Sequence, residues 1–190
     1  FVRSVPSDAW IPVTLDDFYA SMVVVATPSY TQDEVPAVVR IRNAVGNGFE
    51  ARLARRDGGT GPVSADVHFL VVEEGVYEQA AHGVTMEAVK YESGITDAKG
   101  SWVGEARAYQ NGYSSPVVLG QVMTANDEEP SSFWAYGVSL GEPPSAAALH
   151  VGKMVGEDPN KLRAAETIGY IVIEAGTGIL GSRFFEAGVG

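Results

Sequence analysis

Apolar residues in this chain fall into short runs, broken at close intervals by glycine and proline. The runs cover residues 10–15, 22–26, 37–41, 49–53, 67–72, 85–91, 102–109, 117–122, 133–138, 149–154 and 168–173, and are rich in Val, Ile, Phe and Tyr. None approaches the eighteen or more apolar residues of a membrane-spanning helix. Several alternate. In Ala37-Val38-Val39-Arg40-Ile41-Arg42, Val39 and Ile41 face one way, and Arg40 and Arg42 the other. In Phe49-Glu50-Ala51-Arg52-Leu53 the odd positions are apolar and the even ones charged. A period of two puts neighbouring side chains on opposite faces of a sheet, so these runs predict half-buried antiparallel strands. Breaks such as Thr27-Pro28, Gly61-Pro62 and Glu142-Pro143-Pro144 leave little room for helices. Only residues 160–166, following Asp158-Pro159, carry a helical signal. The expected class is all-β.

The chain also repeats itself. Residues 19–36 and 113–130 align without a gap and share seven of eighteen positions: Tyr19/Tyr113, Ser21/Ser115, Val23/Val117, Val24/Val118, Asp33/Asp127, Glu34/Glu128 and Pro36/Pro130. Average residue frequencies would give about one match. The likeness resumes where Val67-His68-Phe69-Leu70-Val71-Val72-Glu73-Glu74-Gly75 meets Ile168-Gly169-Tyr170-Ile171-Val172-Ile173-Glu174-Ala175-Gly176. It continues from Met86-Glu87-Ala88-Val89 to Phe185-Glu186-Ala187-Gly188, with insertions in the second copy around residues 140–147 and 156–163. This pattern predicts two tandem antiparallel β-sandwich repeats, residues 1–94 and 95–190.

Charge and composition narrow the function. With 24 acidic and 13 basic residues the net charge is −11. Such a surface repels phosphate backbones, anionic lipid and strongly sulfated or carboxylated polymers, which argues against nucleic-acid and membrane partners. The absence of cysteine excludes disulfides and thiolate chemistry. A histidine metal site would need His68, His82 and His150 to converge. There is no Gly-x-Ser-x-Gly and no His-Glu-x-x-His. Gly176, Gly178 and Gly181 are spaced somewhat like a dinucleotide fingerprint, but no helix signal follows them, so they read as a turn. Carboxylate pairs at glycosidase spacing are unavoidable among so many acidic residues and carry no weight. The expectation is a non-catalytic protein with no obligatory organic cofactor. The chain starts at Phe1 without an initiator methionine or signal peptide, and reads as a processed piece of a larger secreted protein.

Each copy resembles the H-type lectin domain and its bacterial relatives. The first copy carries the resemblance in Trp10-Ile11-Pro12-Val13, Tyr19-Ala20-Ser21-Met22-Val23-Val24-Val25, Val39-Arg40-Ile41-Arg42-Asn43-Ala44, Gly48-Phe49-Glu50-Ala51-Arg52 and Phe69-Leu70-Val71-Val72-Glu73. The second keeps Trp102, Tyr113, Pro116-Val117-Val118 and Ile168-Gly169-Tyr170-Ile171-Val172-Ile173-Glu174, but has Trp134-Ala135-Tyr136-Gly137 in place of the Arg-x-Arg-Asn strand. The resemblance implies a six-stranded sandwich, a homo-oligomer (often a trimer), and N-acetylgalactosamine-type sugars bound in clefts between subunits. Similar units accompany secreted bacterial polysaccharide-degrading enzymes. The matched positions are core and turn positions, and no sugar contact is carried over.

Aromatic and polar side chains supply the candidate site. One face of a pyranose ring is made of C–H groups that pack on an aromatic plane, while its hydroxyls seek hydrogen bonds. Trp10 and Trp102 occupy equivalent strand starts and are expected in the core. Trp134 has no such counterpart and is the leading aromatic candidate. The loops Gln32-Asp33-Glu34 and Asn126-Asp127-Glu128-Glu129 repeat an amide followed by carboxylates. Asp33, Asn126, Asp127 and Glu128 would accept sugar hydroxyls or hold Ca²⁺; the lack of EF-hand spacing favours solvated turns over a metal site. Arg40, with Arg42 and Arg52, would form a basic groove or pair with Glu50. His68 and His150 lie on apolar strands, either as satisfied sheet residues or as sugar contacts. These features point to a carbohydrate-binding module. The alternative is a structural or adhesive module that binds protein in an extracellular assembly, and a polysaccharide lyase or hydrolase comes last.

Overall fold

The computed structural model describes residues 1–29, 35–55, 61–180 and 183–188. As the alternation predicts, the fold is all-β. The strands are β1 (Val2–Pro6), β2 (Ile11–Tyr19), β3 (Met22–Ser29), β4 (Ala37–Arg55), β5 (Ser64–Glu73), β6 (Gly75–Tyr77), β7 (Met86–Ser93), β8 (Thr96–Asp97), β9 (Glu105–Arg107), β10 (Pro116–Val122), β11 (Ser132–Tyr136), β12 (Leu149–Met154), β13 (Glu166–Glu174), β14 (Gly176–Leu180) and β15 (Arg183–Ala187). A single turn of helix, α1 (Gln79–His82), precedes β7. Sheets of order β1-β5-β3, β10-β13-β7-β6 and β11-β12-β8 form, with β9 also on β12, beside the pairs β2-β4 and β14-β15. Every pairing is antiparallel except the short β8–β12 contact.

The aligned sequence segments keep one register. Val23 lies opposite Val72 in β3–β5, and the aligned Val117 lies opposite Ile173 in β10–β13. Gly75 pairs with Ala88, and the aligned Gly176 with Ala187. A carboxylate closes each strand pair in the same way. Glu73 accepts the Ala20 and Ser21 N–H groups at 2.9 and 2.6 Å, while Glu174 accepts those of Ser114 and Ser115, both at 2.9 Å. Each anion satisfies two backbone donors that no ladder would reach. Strand β7, from before residue 94, lies between β13 and β6, so strands from both segments share one sheet.

Burial explains the sequence pattern. β3 reads Met22-Val23-Val24-Val25 without alternation because those four side chains are all buried. They belong to a core built with β4, β5 and β7 that also takes Met123 and Ile171. A second cluster holds Tyr113, Leu149, Val151, Tyr170 and Val172. Burial beside Glu87 pushes the Tyr109 and Tyr170 hydroxyls up to about 12.

Several expectations need correction. The runs 37–41 and 49–53 are two arms of one bent strand, β4, not separate strands. Arg42 and Glu50 form a 2.9 Å ion pair across the bend, whereas eight residues of straight strand would separate them by about 26 Å. Asn43 and Gly46 take up the bend with φ of 53° and 67°. Residues 160–166 form no helix. Asp158 and Asn160 side chains accept the N–H groups of Asn160 and Leu162, a local bonding pattern that competes with a helix, and Glu166 starts β13. Within the run 102–109 only β9 is strand. Gly176 and Gly178 lie in β14 and are not a turn; Gly181 falls outside the described residues.

Buried charge joins β4 to the loop before β11. Arg40 is almost fully buried and donates to the main-chain carbonyls of Asp127 and Glu128, the latter at 2.6 Å. Desolvation lowers its pKa, opposed by Glu166 and Asp127. The buried Glu166 carboxylate accepts the Thr124 hydroxyl and the N–H groups of Asn126 and Asp127, both at 3.1 Å. Lys153, also buried, donates to the Ala164 carbonyl; desolvation lowers its pKa, and Glu166 opposes that shift. Glu166→Ala strands two backbone donors and leaves Lys153 and Arg40 less compensated. It is expected to cost about 3–5 kcal/mol, read as a lower denaturation midpoint at unchanged slope.

Candidate functional site

The outer face of the β11–β12 sheet carries a row of aromatic rings. Alternation turns Phe133 and Ala135 inward against the second core cluster, which leaves Trp134 and Tyr136 together on the opposite face. Their rings stack with centroids 4.9 Å apart and 16° between planes. His150 is paired with Tyr136 across the strands and stacks on it at 4.3 Å and 7°. Trp102 meets Trp134 edge-on at 5.1 Å and 65°. Trp102, Trp134 and Tyr136, with Leu140, Gly141, Glu142 and Pro143 as the facing wall, line an open groove of about 640 Å³. The rings are half-buried, and Glu142 stands exposed beside them.

Three features hold the row in place. The first is Asp97, a buried carboxylate at the end of β8. It accepts the N–H groups of Val103 and Gly104 at 2.8 and 3.0 Å, and the Trp134 indole N–H at 3.2 Å. One anion thereby fixes the turn carrying Trp102 and sets the plane of Trp134. The second is the absence of two side chains. A Cβ on Gly152, opposite Trp134, would lie 3.0 Å from the indole nitrogen, and one on Gly104 would lie 2.9 Å from the Tyr136 ring. Gly104 also has φ of 58°, which side chains other than glycine's disfavour. The third is a pair of hydrogen bonds. The Tyr136 hydroxyl donates to the Val103 carbonyl at 2.9 Å, and His150 Nδ1 lies 2.9 Å from the Gly137 carbonyl. A carbonyl can only accept, so Nδ1 carries the proton and Nε2 is the acceptor in the neutral ring.

Of the residues singled out in the sequence, Trp134 and His150 meet here. Asn126, Asp127 and Glu128 do not; they belong to the buttress around Glu166. Asp127 uses both carboxylate oxygens on backbone N–H groups, from Glu129 at 3.0 Å and Ala164 at 2.8 Å. Arg40 is a correction: it faces no solvent groove but is covered by that same loop. His68 is exposed on β5, between Val2 and Thr27 in another sheet. Asp33 lies outside the described residues. The core placement of Trp10 and Trp102 is also corrected, since both are half-exposed. Trp10 lies between the Arg42 and Arg52 guanidinium groups, 4.2 and 4.9 Å from its ring centre, where each contact contributes about 0.5–1 kcal/mol. No motif in the sequence marks Asp97 or Glu142, although Glu142 falls in the insertion around residues 140–147. Among the described residues no group of three or more His, Asp or Glu is placed to hold a metal ion. No family model, curated protein or solved structure matches the chain.

Two outcomes follow from these contacts. Asp97→Ala leaves two backbone donors and the indole N–H without their acceptor. It is expected to cost about 1–3 kcal/mol and to weaken the near-ultraviolet circular dichroism of the tryptophans. The second concerns acid. Desolvation would raise the Asp127 carboxyl, but the N–H groups of Ala164 and Glu129 and the nearby Arg163 and Arg40 outweigh it and hold its pKa below the ordinary value. Hydrogen bonds from Arg42 and Asn43 do the same for Glu50. A carboxylate depressed on folding adds stability above its unfolded pKa of about 4, and that stability is lost as pH falls through the folded value. Melting temperature should therefore drop as pH is lowered below about 4, with a shallower drop in Asp127→Asn.

Proposed function

We propose that this protein binds carbohydrate without catalysis, in the groove between the Trp102-Trp134-Tyr136 row and the 140–143 wall. The observation that carries this reading is a half-exposed, pre-positioned aromatic surface with hydrogen-bonding groups at its edge. Tyr136 is stacked between Trp134 and His150, so the row presents its ring edges and Trp102 to the groove. Sugar C–H groups pack on that apolar surface while polar groups set orientation. Here Glu142, on the facing wall, offers an acceptor for hydroxyls. Because Asp97 and the two glycines fix the rings before a ligand arrives, little ordering entropy is lost on binding. The net charge of −11 favours a neutral polysaccharide over a sulfated one. On this reading the chain is a lectin-like accessory module of a larger secreted protein, and its ligand contacts require no cofactor.

The exposed apolar residues Phe18 and Val45, at the bend of the β2–β4 pair, favour a second reading as an adhesive module with a protein partner. Glycan-array and polysaccharide-pulldown assays, with and without calcium, separate the two. The native chain and Trp10→Ala should retain a neutral glycan, whereas Trp134→Ala should bind it at least about tenfold more weakly, or about 1.4 kcal/mol, with far-ultraviolet circular dichroism unchanged. Retention that ignores Trp134 would move the glycan away from this groove, and no retained glycan at all would move the protein to the adhesive reading.

A further inference from the structure

Strand β7 is paired on both edges, with β13 on one side and β6 on the other. Among the described residues, the strand aligned with it, β15, has a partner on one edge only, β14. The opposite vacancy occurs on β5. β1 covers residues 64–68 of β5, and Phe1 exchanges hydrogen bonds with Phe69. Beyond that point, among the described residues, no strand pairs with 70–73 on that edge. The aligned stretch of β13 is where Met86, Glu87 and Ala88 pair with Ile173, Val172 and Ile171.

We propose that β15 of one copy adds to the edge of β5 in a second copy, in the register of the β7–β13 ladder. Phe185 then lies opposite Val72, Glu186 opposite Val71 and Ala187 opposite Leu70. The joint sheet, β3-β5-β15-β14, reproduces the order β10-β13-β7-β6 already present within one chain. The surfaces suit this contact. Phe184 is 80% exposed, Ile179 57% and Leu70 40%. Met86 and Ala88 are buried, whereas their counterparts Phe185 and Ala187 are only partly so, Phe185 against the first core of its own chain. Main-chain hydrogen bonds supply the affinity of such strand addition, and the apolar side chains its register. The edge of β15 differs from the edge of β5, so a single contact leaves one edge of each kind open, either to a further copy or to a reciprocal contact within the pair.

Charge opposes the contact and makes it salt-dependent. Within one chain, Glu87 is buried and accepts the N–H groups of Gln110 and Asn111 at 2.7 and 3.1 Å. The aligned Glu186 is exposed, and in the second copy the positions aligned with those donors are Asp16 and Asp17. Two additional carboxylates there, and a charge of −11 on each copy, repel; salt screens both effects.

The chain has no cysteine, which allows a positional test. Ala187→Cys and Leu70→Cys variants are mixed under mild oxidation in about 0.5 M NaCl, and the native chain is followed by sedimentation velocity against concentration and salt. The expected result is a cross-linked heterodimer formed in excess over either variant alone, with native-chain association strengthening as salt rises and weaker in Glu186→Pro, which lacks the N–H facing Val71, than in Glu186→Ala. A native chain that stays monomeric at every salt, a mixture that cross-links no better than the single variants, or a Leu70→Cys homodimer as the main product would overturn the proposal.

Discussion

The ladder between β7 and β13 is the constraint on which the rest of this molecule depends. It carries a strand from before residue 94 into a sheet built from residues beyond it, so neither segment completes its core alone. Met123 and Ile171 enter the core lined by Val23, Val24 and Met22, and Val24 N–H reaches the Met123 sulfur at 3.5 Å. With that sheet fixed, Tyr113, Tyr170 and Val172 form the floor on which Leu149 and Val151 of β12 pack. The aromatic row on the other face of β12 and β11 is positioned by that packing, one layer removed from the ladder itself.

A second level of organisation comes from carboxylates used as fasteners. Glu73, Glu174, Glu166, Glu87 and Asp97 each accept two backbone N–H groups at the margin of a strand or loop. An ionised acceptor forms stronger bonds than a neutral one and satisfies donors that a sheet ladder misses. Part of the acidity is therefore engaged inside the fold. The Asn126-Asp127-Glu128 loop belongs with these fasteners, and its oxygens are turned to backbone donors rather than outward to a ligand.

Period-two alternation made the fold class legible, and the aligned segments adopt matching registers in the fold, with Val23 opposite Val72 and Val117 opposite Ile173. Residues whose environment comes from distant chain were not legible. Arg40 alternates like an outward-facing residue, and nothing local shows that residues 127 and 128 would cover it. Residues 160–166 carry a helical signal, yet Asp127 and Glu129 draw Ala164 and Arg163 into the buttress instead. Trp134 stood out in the sequence because its aligned position holds Arg40. Its neighbours across the sheet, Gly152 and His150, and its anchor Asp97 are joined to it only by folding.

The most direct test of the groove as the binding surface is an NMR titration of the three tryptophan indole N–H resonances with a neutral oligosaccharide. The account predicts that the Trp134 and Trp102 signals move together and saturate while the Trp10 signal stays in place. Movement of Trp10 alone, or no movement of any indole signal with an oligosaccharide of a polymer the protein retains, would contradict it.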